Sequence, residues 1–375
     1  MTASGLVTNQ KFFKDSFSTL IDPRRTSKGN ILYSLDEILF LTISACICGC
    51  TAWTSIAEFG RLKKGWFRQF SPYKKLPSHD AISDLFCVLD SKTFAECFLN
   101  WVNGIASKED SEVVAIDGKT IRGAASKGGK FPLHIVSGFC TKNRLTLGQV
   151  SVGEKSNEIV AIPKLLDLLT LDKCIVTIDA IGCQKNIAEI IRKKNADYIL
   201  QVKDNQLILK EQIEDVFNSK MSRKIYQKTN CGHGRIEKRI CEVISAESLI
   251  FEGSKNWKDL KTIVRIESHR TIKKTLEKSK EFRYYITSLK DSPENINNAI
   301  RSHWGIENNL HWCLDVIFNE DGQLKRKGNS AENFNVISKA ALALVDNEKS
   351  TNLTKPLKRL RASIDDSFRE LILKV

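Results

Sequence analysis

The strongest constraint on the fold is an alternation of patterns that runs from residue 112 to residue 202. Three short β-like runs come first, at 112–116, 133–139 and 145–152, each rich in β-branched or aromatic residues and separated by turn-forming or charged ones. An apolar spacing of helical period follows over 159–169, then a buried strand-like run at 174–178, a helical pattern at 184–194 and a further strand at 198–202. Pro163 is tolerable in the first of these helices only near its first turn, because proline has no N–H and its ring clashes with the carbonyl four residues back. Three strands in succession suggest a meander.

Strand, strand, strand, helix, strand, helix, strand is the order of a ribonuclease-H-like α/β core. Upstream, residues 12 to about 105 read as helical. Ser34-Leu35-Asp36-Glu37 resembles a capped helix start, and Pro77-Ser78-His79-Asp80 is a turn leading into a helical run at 81–89, with another at 91–105. Downstream, a helix at 206–217 precedes β-like runs at 235–243, 262–267 and 282–289, with a Lys/Arg-rich connection over 269–280; a helical pattern resumes after Pro293 and continues through Leu314. The expected division is a helical N-terminal domain over 1–108, able to dock on DNA, and a ribonuclease-H-like catalytic domain over 109–375 with a β subdomain inserted at about 218–290.

At 375 residues and 42% hydrophobic, with 7 Pro, the chain is long enough for two or three domains and a substantial core, and it is neither disordered nor fibrous. Lys and Arg outnumber Asp and Glu by 58 to 44, a net charge of +14 that suits a polyanionic partner. The 11 cysteines are scattered through apolar segments, which fits a reducing cytoplasm. Cys46, Cys48 and Cys50 lie two apart in a helix-like run, point away from one another and read as small buried hydrophobes. Residues 1–10 carry no apolar leader, so no export is expected, and the most apolar stretch, 38–53, falls short of the roughly 20 residues that span a bilayer.

Two aspartates occupy the same setting. Asp117 ends the apolar run Val113-Val114-Ala115-Ile116, and Asp179 ends Cys174-Ile175-Val176-Thr177-Ile178. If the two strands are sheet neighbours, their carboxylates meet and offer hard oxygen ligands to Mg²⁺ or Mn²⁺, leaving positions for phosphate and water. Each of them alone also reads as an ordinary turn residue. Gly118-Lys119-Thr120 is not a phosphate-binding loop, since the position five residues before its glycine is Val113. A third acid, Glu307, lies in a helical run with His303 and His311, all on one face at helical spacing. That face can close a metal site with the aspartates, bind zinc by itself, or be a structural polar face. Its His-x₃-Glu-x₃-His spacing lacks the short spacer usual for zinc hydrolases.

The matching residues Ala115-Ile116-Asp117-Gly118-Lys119, Ile178-Asp179-Ala180 with Gln184, Lys203-Asp204-Asn205-Gln206, His233-Gly234-Arg235-Ile236-Glu237, and His303-Trp304-Gly305-Ile306-Glu307-Asn308 with Leu310-His311-Trp312 and Leu314-Asp315-Val316 form a specific set. Over its whole length the chain resembles the H-repeat-associated (ISAs-type) transposases of bacterial insertion sequences, members of the DDE superfamily. The resemblance implies a ribonuclease-H-like domain whose Asp117, Asp179 and Glu307 hold two divalent ions. Related insertion-sequence transposases carry Tyr-x₂-Arg-x₃-Glu-x₆-Lys around the glutamate; here Ile300, His303 and Leu314 stand at the Tyr, Arg and Lys positions, so only Glu307 carries over. Asp315, Glu320 and Asp321 remain rival acidic ligands.

The implied activity is metal-dependent cleavage of phosphodiesters in double-stranded DNA and joining of strands at terminal inverted repeats and target, by a homodimer or higher oligomer, with two Mg²⁺ or Mn²⁺ ions serving nucleophile and leaving oxygen. Lys203, the segment with Arg270, Lys273, Lys274, Lys278 and Lys280, and the run Lys325-Arg326-Lys327 are candidates for phosphate contact. Arg61, Lys63, Lys64, Arg68, Lys74 and Lys75 are a second basic group, on the helical segment. The alternatives are a DNA-binding protein of transposase descent and a nuclease that cuts without joining.

Overall fold

The structure is a computed structural model that describes residues 15–24, 31–71, 75–105, 112–124, 132–153, 156–232, 234–248 and 256–374. Lys74 and His233 lie outside the described residues. Helices α1 (Leu35–Ile47), α2 (Trp53–Leu62), α3 (Lys64–Phe67), α4 (His79–Val88) and α5 (Ser91–Ile105) precede the sheet. The start of α1 is a reciprocal cap: Ser34 N–H donates to Glu37 Oε2 at 2.9 Å, and the Ser34 side chain accepts from Glu37 N–H. Ser78 caps α4 by accepting from Ala81 N–H.

Strands β1 (Val113–Ile121), β2 (Leu133–Cys140) and β3 (Leu145–Val152) form the expected antiparallel meander. Helix α6 (Glu158–Leu168) crosses to β4 (Ile175–Ile178), which pairs in parallel with the free edge of β1, and α7 (Lys185–Lys193) crosses to β5 (Asp197–Val202), parallel to β4. This is the ribonuclease-H-like core that the sequence order implies. Pro163 is not in the first turn of α6 but at its sixth residue. The helix starts one residue earlier than the apolar spacing shows, because Asn157 caps it through Val160 N–H.

After α8 (Leu207–Asn218) come β6 (Lys224–Gly232), β7 (Arg235–Ser245), β8 (Thr262–Ile272) and β9 (Lys278–Thr287), all antiparallel. Because β9 also pairs with β5, the inserted strands continue the core sheet, in the order β3-β2-β1-β4-β5-β9-β8-β7-β6. The stretch 269–280, expected as a connection, is mostly strand: His269 faces Lys280 and Arg270 faces Ser279 across the β8–β9 ladder, and only its middle turns. Its charge marks an exposed ribbon and not a loop.

The chain then forms α9 (Pro293–Gly305), a π-helical turn over Ile306–His311, α10 (Trp312–Val316), α11 (Ser330–Asn347), α12 (Lys355–Ile364) and α13 (Asp366–Leu373). Helix α11 has 15 of its 18 residues buried and packs on α1, α4 and α5 on one side and β3 on the other. The N-terminal helices therefore share one hydrophobic core with the C-terminal ones and with one face of the sheet, through Ala115, Phe139, Cys140 and Leu145. On the opposite face, Val114 and Ile116 pack with α6, α7 and α8. Side chains alternate along a strand, so Ala115, Asp117 and Lys119 project toward the α11 side, and Gly118 and Thr120 toward α6. Among the described residues, no helix is long and apolar enough to cross a membrane.

Candidate metal centre

Asp117 is not at a strand end. Strand β1 runs on to Ile121, and Asp117 lies mid-strand opposite Ser137 of β2. The parallel register pairs Ile116 with Ile178, so the next residues, Asp117 and Asp179, leave adjacent strands side by side. Beyond Ile178 the chain turns into a short 3₁₀ segment, where Asp179 accepts from Ile181 N–H at 3.1 Å and is fixed at the end of β4. Glu307 approaches from the other side on the π-helical turn. That turn is defined by the Trp312 N–H donating to Glu307 O, five residues back, a local widening often found at functional sites.

One ligand atom each of Asp117, Glu307 and His311 lie within 4.8 Å of one another. The His311 Nε2 stands 3.8 Å from Asp117 Oδ2. It is buried and has no hydrogen-bond partner among the described residues. Of the histidine pair expected on one helical face, only His311 enters this group. His303 instead packs its Nδ1 3.1 Å from Thr177 Oγ1 and braces α9 on β4.

Electrostatics are those of crowded anions. Burial first, then the neighbouring carboxylates of Asp179, Glu158 and Glu307, push the Asp117 carboxyl up to about 7. Burial, with the nearby Lys339 and Lys119 ammonium groups, pushes the His311 imidazole down to about 3, so it is a neutral ring with a lone pair. Lys339 is itself buried and donates to Ser137 Oγ at 2.7 Å and Gln149 Oε1 at 2.8 Å. A divalent cation placed among these carboxylates would relieve their repulsion, and carboxylate oxygens are suitable donors for Mn²⁺ or Mg²⁺. The residues present thus fit such an ion.

The rival acids are engaged elsewhere. Lys119 Nζ donates to Asp315 Oδ1 at 2.5 Å, to Glu320 Oε2 at 2.8 Å and to His311 O at 3.2 Å. Burial opposes the charge on Lys119, but Glu320 and Asp315 outweigh it and hold its pKa above the ordinary value. Asp321 accepts from Arg122 N–H at 3.0 Å. In the sequence Lys119 stands only in a false nucleotide motif; two residues beyond Asp117 in a strand, it shares that face and staples β1 to the Glu307-bearing helix. Glu158 and His134, also not singled out, pair at 2.7 Å over Gly118, where an added Cβ would sit 2.3 Å from Glu158 Oε1. Gly118 lets these side chains close over the strand beside Asp117.

Among the basic candidates, Lys203, Arg270, Lys273, Lys274, Lys278, Arg326 and Lys327 are exposed. Lys280 is exposed too but pairs with Glu267 at 2.8 Å and lies over the Phe282 ring. Lys327 pairs with Asp84 at 3.1 Å. Lys325 departs from expectation. It is 6% exposed, donates to Thr51 O at 2.6 Å and sits between the Trp53 and Phe334 rings, so it anchors the shared core and does not face a polyanion. In the N-terminal segment Arg61 pairs with Glu58, and Lys63 pairs with Asp366 at 2.6 Å; Lys64, Arg68 and Lys75 are exposed. Cys46 and Cys48 are buried in α1 and its C-terminal end, with thiols pushed up by burial, as small hydrophobes are.

Residues 14–102 match the family model described as DDE_Tnp_1-associated, and residues 108–344 match the transposase DDE domain. The H repeat-associated putative transposase YhhI of Escherichia coli (strain K12) is 36% identical, over 97% of this chain and 98% of its own length. The putative transposase YncI of Escherichia coli O157:H7 is 38% identical, over 96% of this chain and 93% of its own. A piggyBac transposase synaptic complex with hairpin DNA aligns over 98% of this chain and 81% of that one, at 12% identity and a TM-score of 0.47, too distant to carry weight. Matched over most of its length by the DDE domain and over nearly all of it by these relatives, the chain belongs to the DDE transposase family, alongside the H repeat-associated transposases.

Proposed function

We propose that the chain cleaves phosphodiesters at the ends of its insertion sequence and joins them to target DNA, at a centre built from Asp117, Asp179 and Glu307. The observation that carries this reading is that Asp117 of β1 has the Glu307 carboxylate of the π-helical turn within 4.8 Å and Asp179 beside it at the end of the neighbouring β4, in a chain of the DDE transposase family. Asp117 is the common member, with Asp179 on one side and Glu307 on the other. Two divalent ions held there would supply Lewis acidity to the attacking and the departing oxygen of an in-line displacement.

The chain's own residues do the rest. Burial, with the neighbouring Asp179, Glu158 and Glu307 carboxylates, holds the Asp117 carboxyl up at about 7, and a cation held beside it would favour its charged form. Lys119 fixes the helix bearing Glu307 against the strand bearing Asp117, so that the donors need not be assembled during the reaction. Glu307 is exposed, and DNA reaches the centre from its side. The ribbon of β8 and β9, with Arg270, Lys273, Lys274 and Lys278, is suited to grip backbone phosphates, with Lys203 and Arg326 as further contacts. Two DNA ends must be held together for joining, which suits a dimer or higher oligomer on DNA in the cytoplasm.

Purified protein incubated with Mg²⁺ and labelled terminal-repeat DNA separates the readings. Joined products support the proposal. Cleaved products alone mark a nuclease, and a mobility shift without cleavage marks a DNA-binding protein; either outcome overturns it.

A further inference from the structure

Resting on that reading of the centre, we propose that His311 is itself a metal ligand, so that one of the two ions is held by a mixed nitrogen and oxygen set, Asp117, Glu307 and His311. The argument begins with a polar atom lacking a partner. A buried imidazole nitrogen ordinarily has a hydrogen-bond partner, yet His311 Nε2 has none among the described residues, although the residue is only 4% exposed. It is aimed at the carboxylate side of the sheet, 3.8 Å from Asp117 Oδ2, too far for a hydrogen bond. Two ligands each about 2.1 Å from one ion lie at most about 4.2 Å apart, so that spacing suits a shared ion. The third donor, Glu307, is within 4.8 Å of both, and a movement of under about 1 Å brings all three to coordination distance.

The position of the ring is held from behind. The His311 carbonyl accepts from Lys119 Nζ, the same ammonium that fixes Asp315 and Glu320 and that rises from β1 two residues beyond Asp117. One side chain thereby sets the spacing between the imidazole and the aspartate. The π-helical turn contributes as well, since Glu307 and His311 are both within it and its larger number of residues per turn keeps donors four residues apart on one side, at the same point above the strand.

A nitrogen donor changes which metal the centre prefers. Carboxylates and water suit Mg²⁺ and Mn²⁺ alike, whereas imidazole favours transition metals over Mg²⁺. The ion at this position should therefore be Mn²⁺ in preference to Mg²⁺, to a degree that His311 controls.

The test is pulsed electron paramagnetic resonance of Mn²⁺ bound to the full-length protein, which detects nitrogen nuclei coordinated to the ion, together with Mn²⁺ and Mg²⁺ binding titrations. The expected result is a ¹⁴N coupling in the wild type that disappears in His311→Ala and in His311→Gln. These substitutions should weaken Mn²⁺ binding at least about tenfold and Mg²⁺ binding much less. If Mn²⁺ binds and is lost in Asp117→Asn but the wild type shows no nitrogen coupling, the centre is an oxygen-only site and the proposal is overturned while the metal centre stands. If Mn²⁺ binding is absent or indifferent to Asp117→Asn, the metal centre itself falls and the role of His311 with it. The wild-type spectrum needs no variant, so a His311 variant that fails to fold leaves the decision intact.

Discussion

Asp117→Asn should make the metal-free protein more stable at neutral pH. In the folded chain the Asp117 carboxyl titrates at about 7 against an ordinary 3.8, chiefly through burial and then through Asp179, Glu158 and Glu307. Between these two values the folded protein holds a proton that the unfolded chain has released. Stability from this group is therefore fully present below about 4 and is lost as the pH rises through 7. Moving the carboxyl from 3.8 to about 7 corresponds to about 4 kcal/mol, at about 1.4 kcal/mol per tenfold change in proton affinity, and relaxation around the charge brings the expected loss to about 2–4 kcal/mol. Asparagine keeps the shape and removes the charge. Equilibrium urea unfolding of wild type and variant, with a chelator and from pH 4 to pH 8.5, should give a difference near zero at pH 4 that grows to about 2–4 kcal/mol in favour of the variant at pH 8.5. Saturating Mn²⁺ should reverse the order, because only the wild type binds it well. A difference that stays flat with pH, or a variant less stable than wild type at pH 8.5 without metal, would show that Asp117 is not under this electrostatic load.

Lys119→Met should destabilise the fold by about 3–5 kcal/mol, because it leaves Glu320 charged and buried without its partner; adding Glu320→Gln should recover part of that loss, as urea unfolding of the single and double variants will show. Gly118→Ala should cost about 1–3 kcal/mol by driving the new Cβ into Glu158 and His134, as urea unfolding of the variant will show. Replacing Lys273, Lys274, Lys278 and Lys280 with Ala should weaken binding to terminal-repeat and unrelated DNA alike. The slope of log affinity against log salt should fall by roughly 0.9 per lost phosphate contact; an unchanged slope would make the ribbon a solvated surface. Lys280 should contribute least, since it is already paired with Glu267.

The core of the fold was legible because it depends on local patterns. The apolar runs of β1 to β5 and the helical spacing between them are properties of consecutive residues, and their order already implies the sheet. What escaped depends on partners distant in sequence. Strand β1 looked finished at Asp117 because Gly118-Lys119-Thr120 is polar, yet these residues pair with β2, and their polar side chains face the centre and α6. Strand β6 carries little apolar pattern, being exposed along most of its length and held by its ladder with β7. The C-terminal helices depend on distant partners too. Their burial against the N-terminal ones explains why Lys325 is enclosed by Trp53 and Phe334 while Arg326 and Lys327 beside it are exposed, a distinction that three consecutive basic residues cannot reveal. Asp179 was legible at a strand end and Glu307 on a helix, whereas Asp117, which reads as a strand end, lies mid-strand. The role of Lys119 was not, because its partners Asp315 and Glu320 lie about two hundred residues away.

The most direct measurement for the central claim is metal-dependent cleavage of labelled terminal-repeat DNA by wild type and by Asp117→Asn, Asp179→Asn and Glu307→Gln, with DNA binding followed in parallel. Each substitution removes a negative ligand with little change of shape, so each should abolish cleavage and leave binding largely intact, whereas Asp315→Asn should retain measurable activity. Full cleavage by any of the three would remove that residue from the centre, and complete loss in Asp315→Asn would reopen the choice of the third ligand.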